Sequence, residues 1–154
     1  TLFSSVGLLD EEFSYYVEDV EFGLRCALRN EAGIYEPEAI GWHRGSATLG
    51  TWDPRVVRLL ARNQFLLTSR HFPASMLWPI FIGQLLWGAV ALRHGAGLAW
   101  LQGKLLALRD ARRWRRTPDH RIAGILRESE ARMRALQAQS GASTLWRLYF
   151  RLCP

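Results

Sequence analysis

The sequence predicts two unlike parts, an α/β segment over residues 1–70 and a mainly α-helical basic tail over 71–154. Three observations predict this. A helical repeat lies between short extended pieces near the start, the apolar spacing turns wholly helical after Pro54, and the charge changes sign along the chain. Residues 1–50 carry three arginines against nine acids, a net of −6, whereas residues 51–154 carry seventeen basic residues against five acids, a net of +12. Halves so different in charge meet different partners. Hydrophobic residues make up 49% of the 154, enough for a packed core, which excludes wholesale disorder. Cys26 and Cys153 fit no metal or redox spacing and read as idle thiols in a reducing compartment. No basic, apolar leader opens the chain. Thr1 falls inside what reads as a structured segment, so the protein is expected to begin upstream of it.

Leu2 to Leu9 is short and apolar, with Gly7 as its turn. Asp10-Glu11-Glu12 leads into the aromatic run Phe13, Tyr15 and Tyr16. From Asp19 to about Asn30 the apolar residues Val20, Leu24, Ala27 and Leu28 recur at helical spacing, with Asp19 as N-cap and Gly33 as C-cap. Ile34-Tyr35 and Ala39 to His43 read as two short strands, the second closed by Arg44-Gly45-Ser46. Val56 to about Arg70 reads as a helix. Pro73 and Pro79 interrupt the chain beyond it. Met76 to Leu92 is seventeen residues without a formal charge, marginal against the roughly twenty needed to cross a bilayer. Beyond Arg93-His94-Gly95 a further apolar segment runs into the basic cluster Arg109 to Arg116. Ile122, Ile125, Leu126, Met133 and Leu136 share one face of a last long helix, which Gly141 ends.

The acidic stretch Asp10 to Arg25 carries the candidate chemistry. Glu18-Asp19 at a helix start has a plain structural explanation, since acids there are stabilised by the helix dipole. A carboxylate so placed is also kept ionised and can take a proton from a hydroxyl. Further along stand P-E-A-I-G-W-H at Pro37 to His43 and G-S-A-T-L-G at Gly45 to Gly50. Taken with V-G-L-L-D-E-E-F at Val6 to Phe13 and Y-Y-V-E-D-V-E-F-G-L-R at Tyr15 to Arg25, this order resembles the acceptor-side part of an inverting family 2 glycosyltransferase. The match is to the bacterial rhamnosyltransferase-like group with the GT-A fold.

The resemblance implies a set of roles. Asp19 becomes the general base for an acceptor hydroxyl, and Glu18 shapes the acceptor pocket. Asp10, Glu11 and Tyr16 line the acceptor site, His43 stands beside a divalent metal (Mg²⁺ or Mn²⁺), and Arg62 faces the diphosphate. The donor is a nucleotide-sugar, and the acceptor is a glycan or lipid-linked glycan of the bacterial cell envelope. Most metal ligands and the nucleotide-binding half lie outside this chain, so the isolated chain is expected to be inactive.

The rear half suits a membrane surface. Trp78, Trp87, Trp100 and Trp114 match headgroup depth, and Arg109, Arg112, Arg113, Arg115 and Arg116 match anionic lipid. A cytoplasmic protein peripheral to the inner face of the cell membrane is therefore expected. The alternative is a basic helical module that binds membrane or nucleic acid without catalysis. Because the arginines sit beside apolar stretches and the front is acidic, nucleic acid is not an expected partner. Homo-oligomerisation stays open.

Overall fold

The computed structural model describes residues 2–31, 33–34, 36–42, 49–113, 116–141 and 144–152. Among these no strand forms, and the chain is a helical assembly rather than the expected α/β arrangement. The reason is one of partners. A short extended piece leaves its amides and carbonyls unpaired unless a neighbouring strand completes a ladder. Residues 33–34 and 36–42, the body of the two predicted strands, run as turn and irregular chain. Tyr35 and His43 lie outside the described residues, as does the turn Arg44-Gly45-Ser46. Ile34 and Trp42 stand almost bare to solvent, Trp42 at 98% exposure.

Among the described residues seven helices form: α1 (Leu2–Val6), α2 (Glu18–Leu28), α3 (Pro54–His71), α4 (Leu77–Arg93), α5 (Gly97–Asp110), α6 (Arg121–Ser140) and α7 (Thr144–Leu152). Helix α2 starts one residue earlier than predicted. Val17 holds the N-cap position without a side-chain bond, so Asp19 lies inside the first turn rather than capping it. Its far end closes at Asn30, not Gly33. Asn30 takes a left-handed φ of 58°, and the amides of Asn30 and Glu31 return to the carbonyls of Ala27 and Cys26. This is the paired Schellman closure, and asparagine tolerates the left-handed backbone better than most residues. Pro79 does not interrupt α4. It lies in the first turn, where a missing amide costs nothing.

Helices α3 and α5 form the frame and run in the same direction. Val57 shares a core cluster with Ala99, Ala61 lies against Gly103, and the Thr117 amide donates to the Arg70 carbonyl. The approach is close because Ala99, Gly103 and Ala107 place small side chains four residues apart along α5, all buried. A β-carbon at position 103 would lie 2.3 Å from the Arg58 carbonyl oxygen, so only glycine fits there. The main core joins both predicted segments, since Phe13 and Leu24 pack with Leu66, Ala107 and Ile122. The predicted apolar face of α6 holds only at its start. Ile122 is fully buried, whereas Leu136 is exposed.

Candidate functional site

The acidic stretch is not a loose charge run. Asp10 accepts a hydrogen bond from the Glu12 amide at 2.9 Å and so caps a 3-10 turn at Glu11–Phe13. Its other carboxylate oxygen pairs with Arg70, which reaches over from α3. Phe13 is fully buried in the core and anchors the loop from below. Beyond it the backbone is forced. Ser14, Tyr16 and Val17 have φ of 56°, 70° and 74°. Such values are uncommon for any residue but glycine, and for a β-branched valine they are a true outlier. Strain of this kind costs about 1–3 kcal/mol per residue and persists only where the surroundings impose it.

Asn63 imposes it. Its fully buried side-chain amide lies 2.6, 2.8 and 2.9 Å from the carbonyl oxygens of Phe13, Tyr15 and Tyr16. An amide nitrogen has two hydrogens, so one is shared among the three acceptors. Arg62 donates to the Asn63 side-chain oxygen and to the Glu12 carbonyl, each at 3.0 Å, and its Nε meets Asp110 at 3.3 Å. The residue predicted to face a diphosphate therefore braces the acidic loop. The Asn63 role is one that sequence reading missed. Nothing in sequence joins Asn63 to carbonyls nearly fifty residues away.

The braced loop delivers Glu18 and Asp19 at the first two positions of α2. Asp19 is exposed and accepts the Val20 amide at 2.8 Å through one oxygen. Glu18 is half-buried, and its Oε2 is shut from solvent with no hydrogen-bond partner. Of the residues predicted to line the acceptor site, Asp10 is committed to Arg70 and the turn. Glu11 and Tyr16 are exposed on the loop. His43 lies outside the described residues. Among the described residues no three His, Cys, Asp or Glu side chains gather where they could hold a metal ion.

The last acid of the motif, Glu21, turns inward. It is 2% exposed, and both its oxygens lie 2.9 Å from Arg25 Nε. Arg25 passes the connection on, donating to the carbonyls of Val6 and Leu8 at 2.7 Å. His71 Nε2 approaches Glu21 Oε1 to 3.1 Å, off the line of a straight hydrogen bond. Burial opposes the charge on Glu21, but His71 and Arg25 outweigh it and hold its carboxyl below the ordinary value of 4.5.

The rear half divides its tryptophans. Trp78 is exposed on α4, while Trp87 and Trp100 pack against the Val57–Ala91 cluster; Trp114 and Arg115 lie outside the described residues. Cys26 is a free, half-buried thiol, and Cys153 lies outside the described residues. Comparison with protein-family models, with curated proteins and with solved structures finds no match to this chain.

Proposed function

We propose that this chain is the acceptor-side segment of an inverting glycosyltransferase, with Asp19 as general base. The observation that carries the reading is the Asp10–Val17 loop, held in a strained backbone by Asn63 so that it ends on an exposed carboxylate at a helix start. An acceptor hydroxyl bound beside the loop gives its proton to Asp19 as its oxygen bonds to the anomeric carbon of a nucleotide-sugar. The bond from that carbon to the diphosphate breaks with its electron pair leaving on the diphosphate, and the configuration inverts. Glu18 stands next to Asp19 in the first turn of α2, half-buried, and its proposed part is to orient the same hydroxyl.

General base catalysis contributes roughly 10²–10⁴-fold. In the transferase that carries this segment, Asp19→Asn is expected to lower turnover by at least about 100-fold with donor binding retained. Unchanged turnover removes Asp19 from the mechanism.

The exposed faces of α4 and α5 favour a second, compatible role at the cytoplasmic face of an anionic membrane. Leu77, Trp78, Phe81 and Leu85 on α4, and Leu98, Leu101, Leu105 and Leu108 on α5, all lie open to solvent. Arg93, Arg113 and Arg116 are exposed near the ends of these helices. The segment Ala74–Arg93 has a mean hydropathy of 1.6 and is long and apolar enough to cross a bilayer, yet it forms with α5 a face suited to lying on one. The chain is expected to sediment with phosphatidylglycerol vesicles at low salt and much less with phosphatidylcholine vesicles. Raising the salt weakens the first, because screening shortens the reach of exposed charges. Equal sedimentation with both lipids would remove the arginines from the interaction.

A further inference from the structure

Nineteen of the twenty basic residues are arginines, and the one lysine, Lys104, sits apart from them in character. It projects from α5 into the wall of a cavity of about 530 Å³ bounded by α3, α4 and the chain after α5. That volume falls in the roughly 300–1,000 Å³ range of small-molecule sites. Its walls are apolar, with Phe65, Phe72, Phe81 and Leu85 among them. The amine donates to the Ala61 carbonyl at 2.8 Å and to the Gln84 side-chain oxygen, and stands 5.9 Å from the Trp100 ring centre. An ammonium has three hydrogens, so two bonds leave one free. No described acid pairs with it, and Arg116 is the only other charged group in the lining. Trp100, which also lines the cavity, has a buried indole N–H with no hydrogen-bond partner.

A cation without a counter-ion at the wall of an apolar hollow, beside an orphan donor, is matched to a ligand that brings the missing charge and an apolar body. We propose that this cavity binds an anionic amphiphile, with its carboxylate- or phosphate-type head on the Lys104 amine and its chain among Phe65, Phe81 and Leu85. The site is independent of the Asp19 loop and stands whether or not the chain serves sugar transfer. Burial has already brought the Lys104 amine down to about 8, because leaving water disfavours its charge. An anion in the cavity restores a partner and holds the proton on.

Dodecyl phosphate, titrated below its micelle concentration into the whole chain and followed by calorimetry, is expected to bind with one-to-one stoichiometry. Dodecanol, lacking the charge, and inorganic phosphate, lacking the chain, are each expected to bind at least tenfold more weakly. One added methylene should tighten binding about fourfold. Lys104→Met should weaken it about tenfold or more, the worth of a hydrogen bond to a charged group. Leu85→Trp fills the hollow while leaving the amine in place, and should also weaken binding in a chain whose thermal midpoint is unchanged. Affinity should fall between pH 7 and 9 as the amine discharges. A larger apolar groove of about 1040 Å³ lies between α4, α6 and α7, with Met133 in its wall. If Met133→Trp abolishes binding while Lys104→Met and Leu85→Trp leave it intact, the assignment is wrong. Dodecanol or inorganic phosphate binding as tightly as dodecyl phosphate would overturn it equally.

Discussion

Glu21→Ala is expected to destabilise the chain by about 3–5 kcal/mol, the usual result of stripping one partner from a buried ion pair. Glu21 holds Arg25 in place, and Arg25 in turn ties the carbonyls of Val6 and Leu8 to α2. Without the carboxylate a largely buried guanidinium loses its counter-charge, and His71 loses its nearest acid. Domains of this size are stable by only about 5–15 kcal/mol, so the loss is a large share of the whole. Glu21→Gln keeps the volume and part of the hydrogen bonding, and should fall between wild type and alanine. Urea unfolding of the three chains at pH 7 reads the order directly. The acid side of the stability profile depends on the same residue. The folded carboxyl lies below its ordinary value of 4.5. Its contribution is therefore complete above that value and disappears as pH falls through the lower, folded one. Wild type should lose stability over that window, and Glu21→Gln should lose less. Equal stability of all three chains at pH 7 would remove the network from the fold's support.

Asn63→Ala is the second large effect, at about 3 kcal/mol. Three loop carbonyls lose their common donor, and a buried group left unpaired costs about 1–3 kcal/mol. The distinctive result concerns the loop rather than the total. Released from Asn63, the backbone at Tyr16 and Val17 relaxes out of the left-handed region, and the strain stored there offsets part of the lost bonding. Stability alone therefore understates the change. Amide exchange at Ser14 to Asp19 should accelerate far more than exchange within α3. If the segment serves sugar transfer as proposed, turnover should fall nearly as far as in Asp19→Asn while the helical content stays unchanged. Wild-type exchange in the loop would show that Asn63 does not hold it.

Helices were legible where their signals are local. The helix predicted from Val56 to about Arg70 forms as α3 from Pro54 to His71, Gly141 ends α6 as predicted, and the Arg93-His94-Gly95 turn parts α4 from α5. The strands were misread because Ile34 and Ala39 to Trp42 have extended-chain composition, whereas pairing is a property of a neighbour that composition does not reveal. Proline at 79 was misread as a breaker because its effect depends on where the helix begins. The Glu18-Asp19 pair and its acidic loop were visible as a pattern. The division of labour within it was not, since Asp19 faces out and Glu21 faces in by one hundred degrees per residue around a helix whose buried face only the fold defines. Asn63 and Lys104 act through contacts with distant chain, and no short-range signal marks them beyond the oddity of a single lysine.

The three bonds from Asn63 reach back 47 to 50 residues along the chain. Closing so long a loop costs entropy that contacts repay only once α3 is already in place. The turns of α3 can form from neighbours alone, but the left-handed backbone before Glu18 cannot. The carboxylate pair is thus expected to settle late in folding, after the frame beneath it. For the same reason the loop is expected to open first, so its amides should lose protection under mild denaturant well before the helices melt.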